Sequence, residues 1–240
     1  MTGIETGRTL RREILFEIFV SVYLVAVVVS CWRSPVIASF LLAVCILFQL
    51  RFWREKSDAA TIIAAALLGT PSEMVCVHYG VWTYDAPGLI LGIPIWIPLV
   101  WGALFCLFRR LSITAVEFFS ALPNKRLFTL SIMISGIFIL IYFVTTVMVI
   151  KKEIAIAYTV FMIPAIIFSH KERDILLFII AGLLGTFGEY LSMNLGYWRY
   201  HFPYLASIGL PISLPLAWGL SGVIIGRIAM IWEKADRYGG

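Results

Sequence analysis

The sequence predicts an all-α polytopic membrane protein whose eight transmembrane helices form two parallel four-helix repeats. Three observations predict it. Apolar residues make up 61% of the 240 residues and charged residues only 14%. Basic residues fall on alternate sides of eight apolar segments. The stretches around Glu73 and Glu189 repeat one another in register.

Soluble domains carry about 25% charge. This chain falls well short of that, and its mean hydropathy is +0.94. Lipid tolerates outward apolar surface provided that every backbone polar group is satisfied internally. The net charge of +5 is spread between the apolar runs, which argues against a nucleic-acid partner and for an orientation signal. Cys31, Cys45, Cys76 and Cys106 lie in or beside apolar runs without C-x-x-C spacing. They read as buried free thiols, not as disulfides or zinc ligands. The first apolar run begins after Glu13, passes Val29 without a small-residue cleavage site, and reads as a transmembrane helix.

A spanning helix needs about 20 apolar residues. Eight segments qualify, near 13–32, 35–53, 59–80, 91–108, 127–150, 154–169, 174–196 and 209–231. The sixth is short and holds Pro164. The fourth opens with Pro94 and Pro98, and the eighth with Pro211 and Pro215. Proline suits a helix start and disturbs its interior, so a broken or re-entrant turn is expected there. Fifteen Lys and Arg then fall on the side of the termini and four on the other. The positive-inside rule places both termini in the cytoplasm, in an inner membrane of the bacterial or archaeal type. The division expected is residues 1–110 for the first repeat, an amphipathic interfacial linker over 111–126, and residues 127–240 for the second repeat.

The repeat is specific. Leu67–Pro87 reads LLGTPSEMVCVHYGVWTYDAP and Leu183–Pro203 reads LLGTFGEYLSMNLGYWRYHFP, identical at 9 of 21 positions. One inserted residue later, GIPIWIPLVWG from Gly92 matches GLPISLPLAWG from Gly209 at 7 of 11. Four spans return the chain to its starting side, so the copies share one orientation and a twofold along the membrane normal.

Glu73 and Glu189 are the strongest chemical signal. Each lies about two-thirds of the way along its helix towards the outer face. A charge within a span costs about 2.5–3.5 kcal/mol and normally faces the bundle interior. Thr70, Val77 and Gly80 share the face of Glu73 at helical spacing, as Thr186, Met193 and Gly196 share that of Glu189. These are the two strong candidate acids in the spans. A protonated carboxyl in an apolar pocket is the form a general acid needs. The structural alternative is a packing carboxyl bonded to a neighbouring Trp or Tyr.

Trp82 with Tyr84, and Trp198 with Tyr200, fall at the outer helix ends. An aromatic belt at the membrane interface explains them, and substrate contact is the other reading. Trp101 and Trp218 lie inside their helices and are placed to wall a pocket or to bond a carboxyl through the indole N–H. His78 matches Asn194 and Asp85 matches His201; these differences allow one half to be active and the other structural. His78 and Asn194 are carried as substrate-contact candidates. The chain has three histidines, too few for a convincing metal site, and no cofactor is expected. Asp58 and Asp174 match just before their helices, where N-capping accounts for them.

The succession Glu73, Gly80, Trp82, Tyr84, Gly92, Pro94, Pro98, Trp101, with its second copy, resembles the membrane carotenoid-biosynthesis family that includes carotenoid 1,2-hydratases. The resemblance covers about 35 residues per half. It differs in having Trp82 and Trp198 where that family tends to have Tyr, and in lacking a Phe-Gly pair before them. It implies an intramembrane site acting on a long isoprenoid or lipid. On that expectation Glu73 or Glu189 protonates an alkene, leading to hydration, isomerisation or cyclisation. Trp101 and Trp218 shield the cation. The alternative is a transporter or lipid-binding protein with two equivalent halves. The sequence leaves a homo-oligomer open.

Overall fold

The structure is a computed structural model that describes residues 3–120, 172–201, 210–211 and 214–238. It is mostly helical. The order is α1 (Gly3–Cys31), α2 (Pro35–Trp53), α3 (Lys56–His78), β1 (Trp82–Tyr84), β2 (Leu89–Ile90), β3 (Ile93–Pro94), α4 (Ile97–Ser120), α5 (Glu172–Asn194), β4 (Trp198–Tyr200) and α6 (Leu214–Tyr238). Among the described residues, six helices are long and apolar enough to cross a membrane. They are the segments expected first to fourth, seventh and eighth. The expected fifth and sixth spans, 127–150 and 154–169, lie outside the described residues. The surface suits lipid: Leu15, Phe19, Phe40, Leu47, Leu67 and Leu183 are all exposed.

Local sequence sets the helix ends. Pro35 occupies the first turn of α2, where its missing N–H is not needed. Arg54 closes that helix in the left-handed region at φ 57°. Both α3 and α5 end in the same glycine turn. Gly80 (φ 64°) donates to the Val77 carbonyl and Val81 to that of Cys76. Gly196 (φ 77°) donates to Met193 and Tyr197 to Ser192. This is the Schellman pattern, which favours glycine because φ is positive.

Helices α3, α4, α5 and α6 form the centre. α3 packs on α4 and α5 on α6, while α3 also meets α6 and α4 meets α5. α1 and α2 pack on α4 from one side. Tyr197 ties the turn after α5 to α1, donating to the Val29 carbonyl at 2.7 Å while its ring lies against Trp32.

The fourth helix departs from expectation. It starts at Ile97, because Leu89–Pro94 form a two-stranded hairpin. Leu91 (φ 51°) and Gly92 (φ 82°) are its two turn residues. Two positive φ values make the tight turn that suits a hairpin's twist. Pro94 therefore lies in β3, and only Pro98 enters the helix. The helix also continues past Phe108 to Ser120, so residues 111–120 are helical and continuous with it. It continues because its polar residues find buried partners: Thr114 Oγ1 donates to Glu17 Oε1 at 2.6 Å, and the two arginines pair with α3. Residues 121–126 lie outside the described residues. α6 begins at Leu214 rather than near 209 and extends to Tyr238. α3 and α5 each begin and end a few residues earlier than expected. The four short strands are an addition to the all-α reading.

Candidate functional site

The motif Glu–x6–Gly–x–Trp–x–Tyr folds into one unit. Gly80 turns the chain back over the end of α3. Strand alternation in β1 then places Trp82 and Tyr84 on one face. Both reach Glu73: Trp82 Nε1 donates to Oε2 at 3.2 Å and the Tyr84 hydroxyl donates to the same oxygen at 2.5 Å. Trp101, from α4, donates to Oε1 at 3.2 Å. In the second copy Trp198 Nε1 and the Tyr200 hydroxyl donate to Glu189 Oε2 at 2.7 and 2.9 Å. Trp218 lines the same cavity as that carboxyl. Among the described residues Glu73 thus has three donors and Glu189 two, with Trp82 and Tyr84 matched by Trp198 and Tyr200 across the copies. Glu73 is buried and Glu189 half-buried.

The two units are joined. β1 pairs antiparallel with β4, Trp82 opposite Tyr200 and Tyr84 opposite Trp198. Both pairs meet edge to face, with centroids 5.5 and 5.4 Å apart. The flanking bonds also match: Asp85 N donates to the Tyr197 carbonyl and His201 N to the Val81 carbonyl. Burial first, and the neighbouring carboxyls second, hold the Tyr84 and Tyr200 hydroxyls well above the ordinary phenol range, so both remain donors.

Glu73 and Glu189 line one cavity of about 580 Å³. Its walls include Val22, Val25 and Val29 of α1, Leu104 of α4 and Leu184 of α5, with the indoles of Trp96, Trp101, Trp198 and Trp218. This size and lining suit an apolar ligand oriented by a few polar groups.

No protein-family model matches the chain, and no curated protein or solved structure is significantly similar to it. The site must therefore be read from its own geometry.

Of the sequence-predicted residues, the structure brings together Glu73, Trp82, Tyr84 and Trp101, and likewise Glu189, Trp198, Tyr200 and Trp218. The tryptophan–tyrosine pairs are carboxyl ligands, which the belt reading did not foresee. Thr70 and Thr186 do not bond the carboxyls: each Oγ1 is buried and has no hydrogen-bond partner among the described residues. His78 and Asn194 are exposed at the ends of α3 and α5, outside the cavity lining. His78 meets only the ring of Tyr79 among the described aromatic contacts, and Asn194 donates to the Tyr190 carbonyl. A helix's last residue faces the turn that ends it, which explains why spacing alone misplaced them.

Sequence reasoning missed two polar features. Glu17 is a third acid within a span, 2% exposed and bonded to Thr114. Asp58 is also buried. Its Oδ1 accepts from Arg109 Nη1 at 2.7 Å and Arg110 Nε at 2.8 Å, and its Oδ2 pairs with Arg110 Nη2. Arg109 also donates to Ser57 Oγ at 2.6 Å and reaches Glu55 at 3.2 Å. Asp174 pairs with Arg227 in the second copy. These aspartates are ion-pair partners of the following helix rather than caps. A signal existed: Arg110 and Arg227 match across the repeat at the offset that aligns Gly92 with Gly209.

Proposed function

We propose that the chain is an integral membrane enzyme that transfers a proton from a cavity carboxyl to an alkene of a long isoprenoid or lipid. The single observation that carries this reading is the pair of donor-clamped carboxyls lining one apolar cavity. Protonating a double bond leaves a carbocation and a carboxylate. The carboxylate would be very costly in apolar surroundings without donors. At Glu73 two indole N–H groups and a phenol already aim at it, and at Glu189 one of each, so little reorganisation is needed as charge develops. Oε1 of Glu73 carries one donor against two on Oε2, which makes it the freer oxygen for delivery. Stacked indole faces in the cavity wall attract the cation. Water then adds, with loss of a proton, to give an alcohol, or a neighbouring carbon loses a proton to give an isomer or ring. Either proton restores the acid.

The finer architecture belongs to this reading: eight spans in two parallel four-helix repeats, related by a twofold along the membrane normal, with both termini cytoplasmic. The matching bonds in the two copies and the antiparallel β1–β4 pair support the twofold, because strands lying across such an axis must run oppositely.

A second reading, a transporter with two equivalent halves, draws on the near-equal clamping of the two carboxyls. One experiment separates them. Purified protein is incubated in D2O with polyprenyl alkenes, and products are read by mass spectrometry. Carbon-bound deuterium in wild type, lost in Glu73→Gln or Glu189→Gln, is expected of the enzyme. No deuterium incorporation, together with proton-coupled flux in vesicles that needs both carboxyls, would replace it with the transporter.

A further inference from the structure

We propose that the cavity ligand carries a neutral hydroxyl or carbonyl oxygen on its apolar chain, and that the indole N–H of Trp96 holds that oxygen. The inference rests on reading the cavity as the substrate site. Four indoles line it. Trp101 gives its N–H to Glu73, and Trp198 gives its N–H to Glu189. Trp96 is 3% exposed, and its Nε1 has no hydrogen-bond partner among the described residues. Buried indole N–H groups are normally paired, and an orphan costs stability that a ligand acceptor recovers.

The donor is held in place before any ligand arrives. The Trp96 carbonyl accepts from the N–H groups of Leu99 and Val100, each at 3.1 Å, which fixes its backbone at the entrance to α4. Pro94 and Pro98 stand two residues to either side and restrict the backbone further. Trp96 lies five residues before Trp101, less than two helical turns from the residue that holds Glu73. An oxygen bonded to Trp96 would therefore place carbons a few bonds away beside the carboxyls.

The chemistry of the oxygen follows from the lining. Indole N–H only donates, so the ligand atom must accept. A carboxylate or phosphate would find no Lys, Arg or His among the described lining residues to pair with, and an unpaired charge is costly in an apolar cavity. A neutral oxygen avoids that penalty. The second copy has Ser213 at the position equivalent to Trp96. The indole donor is therefore confined to one half, and the ligand has one orientation.

The test measures binding to the purified full-length protein in detergent by equilibrium dialysis. The probes are geranylgeraniol, its methyl ether, and the hydrocarbon of the same chain without oxygen. In wild type the alcohol and the ether should both bind about tenfold tighter than the hydrocarbon. Trp96→Phe keeps the ring and removes the donor. It should erase the preference, so that alcohol, ether and hydrocarbon bind within about twofold of one another. The ether keeps the test decisive on wild type alone. It accepts but cannot donate, so an alcohol that binds tightly while its ether does not is donating to a carboxyl, and the role of Trp96 is overturned. Equal binding of all three probes overturns it too, and leaves the acid-catalysis reading standing. Failure of every probe to bind overturns both.

Discussion

The indole of Trp101 stacks on that of Trp218, ring centroids 5.2 Å apart and planes 16° from parallel. The two residues occupy the same position in the two copies of the repeat, and Trp101 also donates to Glu73. The stack thus joins the two copies beside the shared cavity. Two glycines make room for it. A Cβ on Gly69 would overlap the Trp101 indole, and one on Gly185 that of Trp218.

Gly69→Ala and Gly185→Ala should therefore each destabilise the protein by about 1–3 kcal/mol, the usual cost of overpacking. Thermal unfolding in detergent would measure it. Because the indoles are the groups displaced, tryptophan emission should shift as well. An alanine variant with wild-type stability and emission would contradict the close approach.

Glu73→Gln and Glu189→Gln should leave the fold intact and abolish proton transfer from the altered site. Gln keeps the volume and an accepting oxygen. Its amide, however, meets an indole or phenol donor and cannot supply the acid proton. Circular dichroism and deuterium incorporation together check this. Full activity in the double variant would make both carboxyls structural.

Asp58 and Asp174 should differ in weight. Asp58 is fully buried and faces Arg109 and Arg110, which are 3% and 7% exposed. Asp58→Asn leaves those charges only the half-exposed Glu55, and removal of one buried partner costs about 3–5 kcal/mol. The Arg227 side chain is 30% exposed and can regain water, so Asp174→Asn should cost clearly less. Melting temperatures of the two variants, measured side by side, decide the order.

Glu55 supplies a pH dependence. Burial works against its charged form, but Arg110 and Arg109 outweigh burial and hold its pKa below the ordinary value. Its folded pKa is thus lower than its unfolded one. The stability it contributes is full above about pH 4.3, the unfolded value, and is lost as pH falls through the folded value. Wild type should exceed Glu55→Gln in melting temperature at neutral pH and converge with it in acid. The half-exposed position keeps the difference small. A gap that widens in acid would reverse the sign.

Orientation can be read by cysteine labelling once Cys31, Cys45, Cys76 and Cys106 are replaced. Asp85→Cys, on the exposed loop after β1, should react with an impermeant maleimide from outside intact cells. Lys56→Cys, exposed at the start of α3, should react only after lysis. The opposite pattern would invert the topology.

Much of the site was legible in the sequence because the repeat marks it twice. Matching Glu, Gly, Trp and Tyr at fixed offsets already placed a helix-breaking glycine seven residues after an acid and two aromatics after the glycine. Spacing along a helix located Glu73 but misjudged Thr70 and His78. Hydropathy likewise located the fourth span but not its length. An apolar window ends at Arg109, whereas the helix runs on once Asp58 and Glu55 neutralise the arginines.

The sequence by itself determined the long apolar helices, the duplicated motif and the identity of the two candidate acids. These follow from composition and local backbone preference. Only the tertiary structure decided that Trp82, Tyr84 and Trp101 converge on one carboxyl, that β1 meets β4, that Asp58 is an ion-pair partner rather than a cap, and that Trp96 lines the shared cavity with an indole N–H that has no partner among the described residues. The reason is physical. Each depends on which buried donors and acceptors meet across different helices, and hydrophobic periodicity is silent on that pairing.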